Sequence, residues 1–351
     1  MGKRVTITDI SRAAGVSTAT VSYYLNGRYD NMSEEVQHRL ASIIKEMGYR
    51  PNNLARGLKS KDSKTIGLIM PGLYGQIAFR VVAGACNTLD AAGYTVNIMI
   101  SNEDIRKERE YVESCIANQV NGIIIIPAMT NGETNLSYLK SIHESGTPIV
   151  LTTRCPEDWP FDGVRLNYAR SVDDMVAHLH RQGYGNVALF LDADKSDHMP
   201  FTKALRRKVF LESMHHHYGI DATDLVWCGI RSEQAAEQAM QEYLTRYPET
   251  PKAVFAVNSP TLGYALQATR KCGLSMPKEL GLAGYGGWDW TYYTDPPLTT
   301  LTQPLDKVGE TAAELMLGRL QNAATASRYV LLNSSLIPCE STNLLGEPIS
   351  R

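Results

Sequence analysis

The chain has 351 residues, a hydrophobic share of 43% and a formal net charge of −2, which allows two or three domains and a sizeable buried core. No apolar run approaches the roughly 18 residues a membrane span needs. The polar "VTITDISRAAG" near the start does not form the apolar core of a secretory signal, so a cytoplasmic protein is expected.

Six scattered cysteines (Cys86, Cys115, Cys155, Cys228, Cys272, Cys339) include no C-x-x-C pair, which argues for reduced thiols and against a disulfide framework or cysteine-bound zinc. Charge is unevenly distributed. Residues 1–64 hold 11 Lys+Arg against 6 Asp+Glu, a net of +5, and the remainder holds 24 against 31, a net of −7. A basic segment on an acidic body suggests an anionic partner for the head alone, although a solvated charged face has the same composition.

In chain order, residues 1–50 read as an all-helical head. Thr8 can cap a helix starting at Asp9, Gly15 supplies a turn, and Ser17 or Thr18 caps a second short helix ending near Asn26–Gly27. Ser33 caps a third. Its Glu34 and Glu35 suit the positive end of the helix macrodipole, and Val36, Leu40, Ile43, Ile44 and Met47 recur as one apolar stripe. The connector "YRPNNLARGLKSKDSK" (Tyr49–Lys64) is low in bulky apolar residues, with a helical pattern compatible with Asn52–Lys59.

From Thr65 the pattern changes. The apolar runs "TIGLIMP", "YTVNIMI", "NGIIIIP", "TPIVLTT", "NVALFLD", "LVWCG", "AVFAVN" and "LGLAGYG" alternate with helix-like segments such as Arg80–Ala92, Ile105–Asn118, Arg170–Gln182 and Ser259–Cys272. Strands apolar on both faces and separated by helices imply parallel sheets covered on both sides. So many units exceed one sheet, and two α/β lobes with a ligand cleft between them are expected.

Placed on a helix, Ser17–Asn26 turns Val21, Tyr24 and Leu25 inward, with Val16 and Ala13–Ala14 beneath. Thr18, Ala19, Ser22, Tyr23 and Asn26 face outward, without a Lys or Glu among them. Such a face can approach a macromolecule closely and exchange hydrogen bonds. Two helices joined by a Gly-containing turn match a helix-turn-helix that enters the DNA major groove, and an αα-corner of a small helical domain is the competing reading.

The stretches "VTITDISRAAGVSTATVSYYLNG", "MGYRPNNLARGL" and "IGLIMP", followed by "AVFAVNSPTLGYAL", "LGLAGYGGWDW" and "DPPLTTLTQPLDKVGETAAELML", closely resemble the LacI/GalR family of bacterial transcription regulators over nearly the whole chain. The resemblance implies three parts: a helix-turn-helix head (1–50), a hinge whose helix forms on DNA (51–64), and a two-lobed periplasmic-binding-protein-like effector and dimerisation domain (65–351). In that domain lobe 1 spans about 65–163 and 294–323, and lobe 2 about 164–293 and 324–342. It further implies that Thr18, Ala19, Ser22 and Tyr23 read bases while Thr6, Ser17, Thr20 and Asn26 hold phosphates or register. In the hinge, which includes Asn52, the residues Ala55, Arg56 and Leu58 match positions that enter the minor groove. A segment this short and polar is marginal as an isolated helix, which agrees with folding only on the operator. One departure matters: the family usually has arginine where this chain has Tyr23. Arginine grips guanine with two bonds and tyrosine offers one hydroxyl, so the familiar operator consensus does not carry over.

For the cleft, the resemblance places Arg206 of "RRKVF" as the ligand-gripping arginine, against the plainer reading of a surface cation beside Lys203, Arg207 and Lys208. Crossovers between the lobes are placed near Phe161–Leu166, Trp290–Pro296 and Asn322–Ser327. The family's "ND" aspartate is Ser259 here, and a position often held by an aromatic is Arg231. This makes the cleft more cationic and favours a sugar acid or sugar phosphate. Against that, Trp288 and Trp290 with Tyr74 and Phe79 could stack on a neutral sugar, and Asp289 could supply a carboxylate, though each aromatic also fits a core position. Arg154 and Gln303 complete the candidate effector set.

Other signals are discounted. The histidines of "MHHHYG" (His215–His217) diverge on a helix, as do His178 and His180, so no metal is expected. "GYGGW" lacks dinucleotide spacing, no phosphate-loop or nucleophile-elbow motif occurs, and no cofactor is expected. The tail "STNLLGEPISR" has no heptads, which leaves a homodimer on a two-fold operator as the expectation. The sequence points to a non-enzymatic DNA-binding regulator, a repressor switched by a small carbohydrate-type effector. A sugar-binding receptor without DNA function, or an enzyme on a doubly wound fold, are the alternatives.

Overall fold

The computed structural model describes residues 5–30, 32–49, 62–72, 75–130, 132–156, 159–194, 199–248, 251–286, 289–322 and 326–349. The chain divides into two units, Met1–Lys64 and Thr65–Arg351.

The first unit contains α1 (Ile7–Ala14), α2 (Thr18–Leu25) and α3 (Glu34–Glu46). Helix α1 starts two residues before the expected place, capped by Thr6 and not Thr8. The reason is Asp9, three residues after Thr6. The Thr6 N–H donates to Asp9 Oδ2 (2.9 Å) and the Asp9 N–H to Thr6 Oγ1 (3.3 Å), a reciprocal capping box. Gly15 follows at φ 64°, a left-handed turn that favours glycine. Ser17 caps α2 and Ser33 caps α3, each accepting a backbone N–H three residues on. Ile10, Ala14, Val21 and Leu40 form the core, covered by Val16, Tyr24, Leu25, Val36, Ile43, Ile44 and Met47. Of the two alanines expected beneath α2, Ala14 is buried and Ala13 is exposed.

The second unit has two six-stranded sheets. The first contains β1 (Thr65–Met70), β2 (Thr95–Ile100), β3 (Gly122–Ile125), β4 (Ile149–Thr152), β5 (Asp162–Leu166) and β11 (Tyr329–Leu332), in the order β11-β5-β4-β3-β1-β2, all parallel. The second contains β6 (Asn186–Leu191), β7 (Val226–Cys228), β8 (Lys252–Ala256), β9 (Gly281–Gly286), β10 (Thr299–Thr302) and β12 (Ser335–Ile337), in the order β12-β10-β9-β8-β6-β7. Only the β12 edge is antiparallel. Helices α4 (Gly75–Ala91), α5 (Ile105–Ala117), α6 (Leu136–Glu144) and α12 (Leu305–Gln321) belong with the first sheet in sequence or packing. Helix α7 (Tyr168–Arg181) leads into the second sheet, and α8 (Phe201–Tyr218), α9 (Glu233–Arg246), α10 (Ser259–Lys271) and α11 (Asp289–Tyr292) lie between its strands.

The crossovers differ from those read in the sequence. Phe161–Leu166 is almost entirely strand β5 of the first sheet, and the chain passes to the second at Asn167. Trp290–Pro296 precedes β10, which still pairs with β9, so the return is at Gln303–Pro304. Asn322–Ser327 precedes β11, still in the first sheet, and the third crossing is at Asn333–Ser334. The lobe limits therefore move to these points: residues 164–166 and 326–332 join lobe 1, and 294–302 join lobe 2. Two polar strands, β5 (DGVRL) and β10 (TTLT), hid the first two, with Asp162 and Thr299 buried through partners within their own lobes, and the third follows β11 (YVLL), a half-exposed edge strand.

The two helices that brace the first lobe cross at glycine. A Cβ on Gly309 of α12 would overlap the Val81 carbonyl of α4, and one on Gly84 would overlap the Asp306 carbonyl. Backbone meets backbone there, with Arg80 Nε on Asp306 Oδ2 (2.9 Å) beside the crossing. Gly309→Ala is expected to lower the unfolding midpoint by the equivalent of about 1–3 kcal/mol in urea titration, because neither helix can yield. Gly263→Ala on α10, where nothing lies within 4 Å of the added methyl, should be neutral or slightly stabilising.

In the second lobe, His178 on α7 holds the chain end. Its Nε2 lies 2.8 Å from Thr342 Oγ1, which in turn bonds Thr299 Oγ1 of β10 at 2.6 Å. Burial, with Arg181 nearby, pushes the His178 pKa down to about 4. The folded state therefore resists the proton that the unfolded chain accepts below an ordinary histidine pKa. Stability from this group is complete above that value and is lost as pH falls toward about 4, by up to about 1.4 kcal/mol per pH unit. Urea midpoints at pH 7 and pH 4.5 should differ more for the parent chain than for His178→Gln.

Among the described residues, no helix is long and apolar enough to cross a membrane, and no group of three or more His, Cys, Asp or Glu is placed to hold a metal. All six cysteines are free thiols.

Candidate nucleic-acid interface and ligand cleft

On the head, Thr18, Ala19, Tyr23 and Asn26 are exposed, and Ser22 and Thr20 half-buried, while Val21 on the opposite side is fully buried. Tyr23 is 51% exposed, a value that places its ring in solvent, away from the core. Helix α2 has no acidic residue in its first turn, so the positive end of its macrodipole is uncompensated. The hydroxyls are locally committed. Ser17 Oγ accepts the Thr20 N–H at 3.0 Å and shares a bond with Thr20 Oγ1 (2.9 Å), and Asn26 Nδ2 donates to the Ser22 carbonyl at 2.7 Å. Thr6 is held by Asp9. The backbone of α2 is thereby fixed by side chains on its rim, and Thr18, Ala19 and Tyr23 remain available. Asn52, Ala55, Arg56 and Leu58 lie outside the described residues.

In the second unit, the carboxyl ends of strands from both sheets carry polar groups, and the two lobes meet there. Arg165, at the end of β5, points its guanidinium at the Phe201 ring of α8 in the other lobe, 5.4 Å from the centroid. On the first lobe, Arg154 grips both oxygens of Glu103, at 2.8 and 2.6 Å, and donates to the Pro127 carbonyl. Burial acts to raise the Glu103 pKa, but the hydrogen bonds and charge of Arg154 outweigh it and hold the carboxyl below its usual range; Lys203 of the other lobe adds to this.

On the second lobe, Arg206 of α8 is 8% exposed. Its Nη1 donates to the Val257 carbonyl directly after β8 (2.6 Å), and its guanidinium carbon lies 4.2 Å from the Tyr168 ring centroid and 4.5 Å from that of Tyr285. Its Nε is buried without a hydrogen-bond partner. Burial disfavours the cation, yet Tyr168, Tyr285 and Asp192 together hold its pKa above the ordinary arginine value. Asp192, directly after β6, accepts Lys203 Nζ on Oδ2 (2.8 Å), and its Oδ1 is buried and unpartnered. Arg231, exposed, is bonded to Asp194 (2.9 Å) and the Asp192 carbonyl (3.1 Å). Gln303 is buried at the second crossover.

These placements bring Arg206 and Gln303 to strand ends and Arg154 to the facing lobe, with Arg154 and Arg231 already neutralised by carboxylates. Phe79 is 61% exposed on α4, which gives no stacking partner a wall. Ser259 lies elsewhere, in a groove of about 650 Å³ with Gly263, Gln267, Arg270, Trp290 and Tyr293. Tyr74, Trp288 and the Asp289 side chain lie outside the described residues. Sequence reading missed Asp192, Tyr168 and Tyr285. The position of Asp192 as the last letter of "NVALFLD", a strand's carboxyl end, was the available signal.

Comparisons with known proteins bear on family and fold. Residues 6–52 match the model for bacterial regulatory proteins of the lacI family, and residues 176–342 that for a periplasmic binding protein-like domain. The chain is 28% identical over 332 residues to the HTH-type transcriptional regulator KdgR of Bacillus subtilis (strain 168), covering 95% of this chain and 96% of that one. Its fold is similar to a lac repressor dimer crystallised on operator with the anti-inducer ONPF: TM-score 0.81, 22% identity, 97% of this chain and 99% of that one. It is also similar to the transcriptional regulator CelR in complex with cellobiose: TM-score 0.66, 24% identity, 96% of this chain and 100% of that one.

Proposed function

The chain belongs to the lacI family of bacterial regulatory proteins, DNA-binding transcription regulators and not enzymes, and we propose that it acts as a repressor whose operator affinity is set by a small carbohydrate-type effector bound between its lobes. The working unit is a homodimer on a pseudo-palindromic operator, as the lac repressor dimer is on its own operator. Residues 1–50 serve as the head, 51–64 as the hinge and the rest as effector and dimerisation domain. Thr18, Ala19, Ser22 and Tyr23 meet base edges; Ser17, Thr20, Asn26 and Thr6 fix the register against phosphates; Asn52, Ala55, Arg56 and Leu58 engage the minor groove.

The observation that carries this reading is the outer face of α2, exposed, uncharged and built on a fully buried Val21. Arg206 is the ligand-gripping group, with Gln303 and Arg154 beside it. CelR takes a disaccharide; in this chain the buried Arg206 cation favours a sugar acid or sugar phosphate over a plain sugar. An effector that binds the closed cleft better shifts the population toward closure. Closure separates the two chain starts at Lys64–Thr65 in the dimer and withdraws the pairing on which the hinge helices depend. Operator affinity then falls by a coupling of about 1–3 kcal/mol.

Binding of the full chain to a duplex selected from a random pool, measured from 50 to 200 mM salt, tests the reading. A linear fall of log affinity with log salt, by several phosphates' worth of counterion release, is expected. Absence of binding at the lowest salt contradicts it.

A further inference from the structure

On the outer face of α2 the groups that grip a base with two hydrogen bonds are missing or engaged. Thr18, Ala19, Ser22, Tyr23 and Asn26 include one amide and no guanidinium, ammonium or carboxylate. That amide, on Asn26, donates Nδ2 to the Ser22 carbonyl at 2.7 Å, which turns it back onto its own helix. The two-bond contacts that select guanine or adenine in the major groove therefore have no source on this face. The arginines described on the head belong to other elements: Arg12 to α1, Arg28 to the turn beyond α2, and Arg39 to α3.

What α2 does offer is of two kinds. The Thr18 and Tyr23 hydroxyls can each donate or accept, so a lone hydroxyl bonds one base edge about as readily as another. The rest is apolar: the exposed methyl of Ala19 and the Tyr23 ring, 51% exposed. Residues four apart lie side by side on a helix, so Ala19 and Tyr23 form one small apolar surface. In the major groove the apolar feature of a base pair is the C5 methyl of thymine.

We infer that α2 selects its operator by pyrimidine 5-methyl groups, which the surface formed by Ala19 and Tyr23 covers. This rests on the reading of the head as a DNA-binding unit and names the base feature that it takes. The feature is the methyl and not the base. Uracil keeps every hydrogen-bonding edge of thymine and lacks the methyl, so it does not replace thymine. 5-Methylcytosine presents the same group at the same ring position, so it does in part. Burying one methyl corresponds to about fourfold in affinity, and two equivalent half-sites to about fifteenfold.

The test uses the full-length chain and the duplex it selects from a random pool, titrated by fluorescence anisotropy at one salt concentration. Each thymine is replaced by deoxyuridine in turn, in both half-sites together. At one or two positions per half-site the replacement should weaken binding by about tenfold or more, and elsewhere leave it nearly unchanged. At the sensitive positions a C·G pair should bind poorly, and methylating that cytosine at C5 should recover about threefold or more. Tyr23→Ala and Ala19→Gly should each abolish the penalty at one sensitive position, where thymine and deoxyuridine then bind alike. Both sites are exposed on a helix seated through Val21, and alanine at position 23 favours the helix.

The inference is overturned if deoxyuridine is tolerated at every thymine or if 5-methylcytosine binds no better than cytosine. It is equally overturned if both variants keep the full deoxyuridine penalty, which would place its origin in the shape of the duplex. Failure to bind any duplex contradicts the reading of the head itself. A selected duplex that is indifferent to the methyl group overturns this inference and leaves that reading standing.

Discussion

Leu40→Ala abolishes operator binding and leaves effector binding intact. Leu40 is fully buried at the centre of the head, against Ile10, Ala14 and Val21. Truncating it costs about 2–5 kcal/mol through lost burial and the cavity left behind. A domain of this size has about 3–9 kcal/mol in total, so the variant head spends much of its time unfolded. The surface of α2 exists only while Val21 is seated on that core. The two-lobed unit has its own core and retains its fold. A loss of operator affinity of about a hundredfold or more, with an unchanged calorimetric isotherm for the effector, is the expected pair of results. Ala41→Ser, on the exposed side of α3, should change neither.

The second large effect lies in the first lobe. Asp162 opens β5, fully buried, and accepts Arg319 Nε (3.0 Å), Arg319 Nη2 (2.9 Å) and the Arg328 N–H (2.6 Å). The Arg319 side chain is 5% exposed, so it cannot turn to water when the carboxylate is removed. Asp162→Ala is expected to destabilise the two-lobed unit by about 3–5 kcal/mol, read as a lower urea midpoint. The paired replacement Asp162→Leu with Arg319→Met should recover most of the loss, since it buries no uncompensated charge. A single variant as stable as the parent would show that the ion pair is dispensable.

Which parts of the molecule could be read beforehand follows from how the residues are used. Helix α3 was legible because Val36, Leu40, Ile43, Ile44 and Met47 repeat at the helical period and face one core. Strands β1, β3, β6 and β8 were legible because both faces are covered and every position after the first is apolar or small. Strands β5, β10, β11 and β12 were not. "DGVRL" and "TTLT" bury aspartate, arginine and threonine, and only the partners seen in the structure, Arg319 for Asp162 and Thr342 for Thr299, make that burial tolerable. Missing them displaced all three crossovers.

The cap of α1 turned on a detail of the same kind. Thr6 and Thr8 are equivalent as residue types, and the carboxylate of Asp9 three places on decides for Thr6. In the cleft, sequence position singled out Arg206, but a guanidinium's partners are distant in the chain. Arg154 and Arg231 look like free cations in the sequence and prove to be neutralised by Glu103 and Asp194, while the orphaned Oδ1 of Asp192 is visible only in three dimensions.

The most direct trial is a binding-site selection from random duplexes, run in parallel for the parent chain and Tyr23→Arg. If this helix lies in the major groove with position 23 over a base edge, the variant changes its preference toward guanine at one position in each half-site and keeps the rest of the motif. An identical selected motif for both proteins would mean that Tyr23 and the surface around it never touch the bases.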